Sequence, residues 1–248
     1  MKGIVPPKHK RRANEEAPRE FFKIFTPIQT AKLLWAAHEH CPELVAGLAI
    51  KIFSGVRNTE LYTLTWENIH LEKERDSQII VLAAFSKTGR KRAISIHPTL
   101  YQWLSPRVCN PEDRVFGMAS HVKDRESVWL DAIKLSRKFA GIDPWPQNAL
   151  RHGFGSYHYA LYKNETLTAS EVGDSTGVVR RHYIDAVRAK ACGIFWSLTP
   201  ANVEAFVTSD TETKEPILEE PEPEPDPPEE EFAGQQVSCL PCLKNVEI

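Results

Sequence analysis

Apolar positions recur at helical spacing over most of the chain. Thr26-Pro27 pairs a capping hydroxyl with a proline at the first helical position, and Leu33, Leu34 and Ala37 carry the period towards His40. Pro42 opens a second helix whose centre, LVAGLAIKIF, is nearly all apolar, the mark of a buried core element, and Ser54-Gly55 ends it. Asn58 or Thr59 is placed to cap a third, short helix through Leu64-Thr-Trp66. The period then changes. Residues 78–86 and 91–97 are rich in β-branched side chains and flank Lys87-Thr-Gly-Arg90, which predicts a hairpin with a glycine turn and four basic residues around its tip. From Pro98 the pattern predicts helices over 98–104, 124–140, 149–162, 168–173 and 177–183. Thr199-Pro200 then repeats the capping signal ahead of a last amphipathic helix through Val207. The expected fold class is mainly α with a small antiparallel β-sheet.

Charge divides the 248 residues further. Residues 209–231 hold eleven acidic residues, one lysine and six of the eighteen prolines, too few apolar groups to offset the entropy of ordering. The expected organisation is a basic N-terminal arm (1–25), one globular domain (26–208) and a disordered acidic Pro/Glu-rich tail (209–248). The net charge of −2 hides a body, residues 1–208, with 29 Lys+Arg against 21 Asp+Glu, or +8. Such a body suits a polyanion partner that the tail can compete with, or both blocks simply confer solubility. Lys8-His-Lys-Arg-Arg12 reads as a solvated arm or as a phosphate contact. No run approaches the ~20 apolar residues of a membrane-spanning helix, and the basic first twelve residues lack the apolar stretch of a secretory signal. Five scattered cysteines point to a reducing compartment, and Cys239-Leu-Pro-Cys242 stands without a second pair. No Gly-rich phosphate loop, HExxH or GxSxG occurs.

Four features then stand in order: Arg57 in Gly55-Val-Arg-Asn-Thr-Glu60-Leu, shortly before Leu64-Thr-Trp66; Lys87 on the hairpin, five residues before Arg92; Arg151 in Asn148-Ala-Leu-Arg-His152; and Tyr183 in Arg180-Arg-His-Tyr-Ile-Asp185. Arg151 precedes Tyr183 by 32 residues, and Asp174 lies nine residues before the tyrosine. This ordered set resembles the catalytic domain of the tyrosine recombinases, the phage-integrase family, over roughly residues 26 to 190. The family pattern has an arginine in G-[LV]-R-x-x-E-[LI], a hairpin lysine, an H-x-L-R-H box, a G-H pair and the tyrosine.

The resemblance implies DNA strand cleavage and rejoining through a 3′-phosphotyrosyl intermediate, with no cofactor and no metal. Tyr183 would be the nucleophile, Arg57 and Arg151 the forked clamp on the phosphoryl oxygens, and Lys87 the acid for the departing 5′-oxygen. Glu60 resembles the acidic residue that buttresses the first arginine; an exposed helix-start charge is the other reading. The implied partners are double-stranded DNA and further copies of the chain on it, in the cytoplasm at the nucleoid, with site-specific recombination or integration of a mobile element as the role. The last helix can dock on a neighbouring protomer or on its own domain.

Two positions depart from the pattern. The first histidine of the box is Asn148, and the histidine of the G-H pair is Asp174. Both remain candidates for phosphate contact. Asn148 can instead cap the helix carrying Arg151, and Asp174 can turn inward to the phosphate or outward to cap the helix near Ser175. His152 and His182 lie beside the site and read as packing or backbone-bonding histidines, with a replacement acid-base group as the other reading. The 25 residues before Thr26 are too few for the DNA-clamping domain that usually precedes this one, so a fragment or a clamp from another protein is expected. These departures keep an alternative open, a catalytically impaired DNA-binding remnant that regulates or partners an active recombinase. A further alternative is a helical interaction protein that docks through its tail.

Overall fold

The structure, a computed structural model, describes residues 22–72, 76–86, 89–107, 109–116 and 122–208. In chain order the elements are α1 (Pro27–His40), α2 (Val45–Ser54), α3 (Asn58–Leu61), β1 (Ile69–His70), β2 (Gln78–Val81), β3 (Arg92–Ser95), α4 (Pro98–Leu104), α5 (Val122–Ala140), α6 (Ala149–Tyr162), α7 (Glu165–Val172), α8 (Thr176–His182), α9 (Ala189–Phe195) and α10 (Val203–Thr208). The described residues are mainly helical with one small antiparallel sheet, as the periodicity predicts. Lys87, the basic run 8–12 and the tail with Cys239 and Cys242 lie outside the described residues.

Helix α1 starts on a reciprocal cap: Thr26 Oγ1 accepts the Gln29 N–H at 3.0 Å, and Gln29 Oε1 accepts the Thr26 N–H at 2.9 Å. Every residue of α2 is buried, and the helix packs against α1, α4 and α6. Full burial of an aliphatic side chain is worth about 1.5–3 kcal/mol, so Leu48, Ile50 and Phe53 make α2 the centre of the core. Gly55 ends it at φ +62°, where a Cβ would stand 2.5 Å from the Phe154 ring. Only glycine can make this turn into Arg57.

The structure corrects several boundaries. α3 stops at Leu61, because the Trp66 and Glu67 N–H groups donate instead to the Asp113 and Pro111 carbonyls at 3.0 and 2.7 Å. Its cap is Arg57, whose N–H is accepted by the Glu60 carboxylate at 2.7 Å, and not Asn58 or Thr59. The strand from Gln78 ends at Val81, since Ala83–Phe85 coil into a 3₁₀ turn. A third strand, β1, pairs with β2 through Ile69 and Ile79, while β2 pairs with β3 from Gln78–Ser95 to Val81–Arg92. That register puts Arg92 at the hairpin end of β3.

α7 starts at Glu165, where the Asn164 side chain accepts the Leu167 N–H at 2.9 Å. α9 carries no strong sequence signal, yet it buries Cys192 and Phe195, and Trp196 after it donates to the Tyr157 carbonyl at 3.1 Å. The last helix starts at Val203 and not Pro200, because Asn202 Oδ1 accepts the Thr199 N–H at 2.8 Å and holds the chain in a turn. α10 packs on α1 of its own chain, with Val203 fully buried.

Candidate functional site

Helix ends bring the predicted residues together. Arg57 leaves the turn between α2 and α3, Arg151 lies in the first turn of α6, Asp174 follows α7, and Tyr183 follows α8. Arg57 Nη2 donates to the Gly173 carbonyl at 2.7 Å and pairs with Asp174 Oδ1 at 3.2 Å. Arg151 Nη2 stands 3.0 Å from the same Asp174 oxygen. Two guanidiniums thus converge on one anionic oxygen. Asp174 turns inward, and Ser175 caps α8 by accepting the Val178 N–H at 3.3 Å.

The pair at Arg151 is incomplete. Its Nη2 is buried and lies out of line for a hydrogen bond to the carboxylate, so this donor is unspent among the described residues. Its Nη1 donates to the Gly55 carbonyl at 2.7 Å, which locks the guanidinium to the Arg57 turn.

Glu60 is the buttress and not an exposed charge. Its side chain is 0% exposed, takes Arg92 in a two-pronged pair at 2.7 and 2.8 Å, and accepts Arg57 Nη1 at 3.0 Å. Burial opposes its charge, but the Arg92 pair and the Arg57 backbone and side chain outweigh that and hold the carboxyl down at about 2. Glu60 therefore stays ionised and sets the angle of both arginines.

Tyr183 sits differently. Its side chain is 0% exposed and its hydroxyl lies 3.1 Å from His152 Nδ1. A Cβ on Gly155 would stand 2.5 Å from the Tyr183 ring, so α6 admits the ring only because residue 155 has no side chain. Burial, with Asp174 adding and the two arginines opposing, pushes the Tyr183 hydroxyl well above its ordinary value. His152 is pushed down to about 4 by burial and the Arg151 charge, so it is neutral at pH 7 and can share a hydrogen bond with the tyrosine hydroxyl at Nδ1. Phe22 stacks on His152 at 3.7 Å between centroids and tilts over His182 at 4.2 Å.

Asn148 adopts a left-handed conformation, φ 55°, and makes no side-chain cap bond, which corrects its reading as the cap of α6. It lines a cavity of about 430 Å³ with Lys51, Arg57, Arg151, His152 and Asp174. A broader cavity of about 750 Å³ joins Arg57, Asp174 and Ser175 to the hairpin residues Arg90, Lys91 and Arg92. Lys87 lies outside the described residues, so the acid of the set has no described position. Among the described residues no three His, Cys, Asp or Glu side chains group as a metal set. No helix among them is long and apolar enough to cross a membrane.

Sequence reasoning missed two neighbours of the site, Lys51 and Phe22. Lys51 is hidden as the lone charge in an apolar helix, and that interruption was its signal. His152, which the sequence places beside the site, both packs under Phe22 and bonds the tyrosine hydroxyl. Phe22 precedes the first periodic segment and carried no signal.

No protein-family model and no curated protein matches this sequence. Solved structures do match its shape. XerA recombinase is similar at a TM-score of 0.51 and 17% identity, over 76% of this chain and 65% of that one. The catalytic domain of bacteriophage HP1 integrase is similar at 0.50 and 16%, over 76% of this chain and 95% of that domain. The fold is that of a tyrosine-recombinase catalytic domain. The chain spans just under two thirds of XerA recombinase and nearly all of the HP1 domain. On this tyrosine-recombinase fold Arg57, Arg151 and Asp174 line the 430 Å³ cavity, and Tyr183 lies buried close enough to feel all three charges.

Proposed function

We propose that the protein cleaves and rejoins double-stranded DNA as a site-specific recombinase or integrase, through a 3′-phosphotyrosyl intermediate. The observation that carries this reading is the convergence of Arg57 and Arg151, 3.2 and 3.0 Å from a single Asp174 oxygen, a seat the size and charge of one phosphoryl oxygen. In the proposed reaction a phosphodiester displaces the Asp174 carboxylate. Tyr183 Oη attacks phosphorus, the P–O5′ bond breaks, and the 5′-oxygen leaves as a hydroxyl. The tyrosine proton passes to His152 Nδ1, 3.1 Å away, in the tautomer that leaves this nitrogen unprotonated, and Lys87 donates the proton taken by the 5′-oxygen. The guanidinium forks hold the extra negative charge of the phosphorane, and reversal of the steps reseals the strand. DNA and further copies of the chain are the partners, and the cytoplasm the location, under this reading.

Two observations favour a second reading, a DNA-binding remnant with impaired catalysis: Asp174 already fills the seat with an anion, and Tyr183 is 0% exposed. Incubation of the full chain with a pool of nicked suicide duplexes, followed by a denaturing gel, tests both. A covalent band that Tyr183→Phe abolishes supports strand transfer. A salt-sensitive native shift with no band supports the remnant. Neither signal removes both readings.

A further inference from the structure

Lys51 breaks the apolar run of α2 six residues before Arg57. It is 5% exposed and its ammonium donates to the Val56 carbonyl at 2.7 Å. Arg151 Nη1 donates to the preceding carbonyl, Gly55, also at 2.7 Å. Two buried cations therefore grip consecutive carbonyls of the turn from which Arg57 projects. The amine also borders the 430 Å³ cavity with Asn148, Arg151 and Asp174, and a smaller one of about 90 Å³ behind it with Trp129 and Trp145. A methionine would fill the same space without the cost of burying a charge, so packing alone does not account for a lysine.

Among the described residues, the titratable and charged groups that border Lys51 come from α6 (Arg151 and His152), from the turn into α3 and α3 itself (Arg57 and Glu60), and from the turn after α7 (Asp174). α5 contributes Trp129, Leu130 and Ile133, none of them charged, to the smaller cavity. Burial comes first, then Arg151, with Glu60 opposing and Arg57 adding, and the ammonium is pulled down to about 7. An anion entering the arginine seat counters the two guanidiniums and favours the charged amine.

Resting on the strand-transfer reading, we propose that Lys51 is a positioning residue: it fixes the Gly55–Arg57 turn from below and gains a proton when a phosphodiester oxygen seats between the guanidiniums, supplying a charge that Asn148 cannot. The sign follows from linkage. Anion affinity is highest while Lys51 is charged in the free protein and falls as pH rises through about 7, until the anion-bound form also loses its proton.

The test uses the full chain with sulfate, which does not titrate between pH 6 and 9. Calorimetry in two buffers of different ionisation heat reads affinity and proton uptake, and lysine ¹³Cε resonances read the amine. A lysine resonance titrating near pH 7, absent from Lys51→Met and moved up about one unit by sulfate, is the expected result. A shift of that size makes sulfate affinity drop roughly fivefold from pH 6.5 to 8.5 in the wild type. Lys51→Met should show no such slope. If that variant does not fold, the wild-type resonance and proton uptake carry the test alone. Absence of sulfate binding, no lysine titrating near neutrality, or the same slope in Lys51→Met overturns the proposal. The two readings fail separately. Tyr183-dependent cleavage whose pH profile is unchanged in Lys51→Met would sink the role of Lys51 and leave strand transfer standing. Sulfate-linked titration without any covalent adduct would do the reverse.

Discussion

The arginine half and the tyrosine half of the site are built on opposite principles. Arg57, Arg92 and Arg151 are fixed by charge, through Glu60 at 0% exposure, the Gly55 and Gly173 carbonyls, and Asp174 at 23% exposure. Tyr183 is fixed by shape, its ring against Gly155 and its hydroxyl on a His152 that is itself covered by Phe22. The first half is ready for an anion and borders open cavities. The second must move before its hydroxyl can reach anything outside. The arginine seat is therefore assembled while the tyrosine beside it is still closed in.

Removing either guanidinium is the strongest way to break the comparison. Under the strand-transfer reading, Arg57→Ala or Arg151→Ala should lower the rate of covalent adduct formation by about 100- to 1,000-fold, because that reading makes each a charged donor to the phosphoryl transition state. Adduct time courses on denaturing gels read this, and near-wild-type rates would deny the clamp. Arg→Lys should rescue poorly, since an ammonium cannot reproduce the fork.

Glu60 separates structure from chemistry within the arginine half. Its folded value is about 2 against 4.5 unfolded, so its contribution to stability is complete above about 4.5 and lost as pH falls towards 2. The difference corresponds to about 3 kcal/mol. Glu60→Gln should melt lower at pH 7 and lose less than the wild type between pH 4.5 and 2. Parallel pH–melting curves for the two would contradict the buttress.

Asp174 sharpens the contrast, because stability and affinity should move in opposite directions. Asp174→Asn removes the anion that occupies the seat, so sulfate or duplex affinity should rise about tenfold or more, given a like-charge repulsion of a few kcal/mol at 4 Å and an effective dielectric near 20. The same change strips two arginines of a partner and should lower the melting temperature. Lower affinity together with lower stability would show that the carboxylate organises the seat and does not block it.

The smallest effect belongs to Phe22. Its stacking on His152 and His182 is worth about 0.5–1.5 kcal/mol, so Phe22→Ala should speed adduct formation by roughly two- to tenfold if the stack holds Tyr183 in. An unchanged rate would assign the closure to the Gly155 fit alone.

Local chemistry was legible in the sequence, and contacts between distant residues were not. Thr26-Pro27, the apolar α2 and Gly55 announced their elements through caps, periodicity and a left-handed turn. The two-residue β1 has no period to detect, and α9 lacks a side-chain cap. α3 was read too long because its end is set by the Asp113 and Pro111 carbonyls, over 40 residues further on. Arg57, Arg151 and Tyr183 were visible through motif and spacing. Arg92 on Glu60, 32 residues apart, and Lys51 beneath the Arg57 turn depend on tertiary packing, which no local pattern carries. Asn148 misled for a local reason: its backbone is left-handed, and its side chain is not placed to cap.

The missing side chain at Gly155 also makes that position a wedge. With a Cβ due 2.5 Å from the Tyr183 ring, any other residue there raises the energy of the tucked-in tyrosine while leaving a swung-out one untouched. If the tyrosine exchanges between those two poses, Gly155 biases the exchange through volume alone, without charge or hydrogen bonding. A graded series from alanine to valine would tilt that balance in steps, trading folded stability for the time the hydroxyl spends outside.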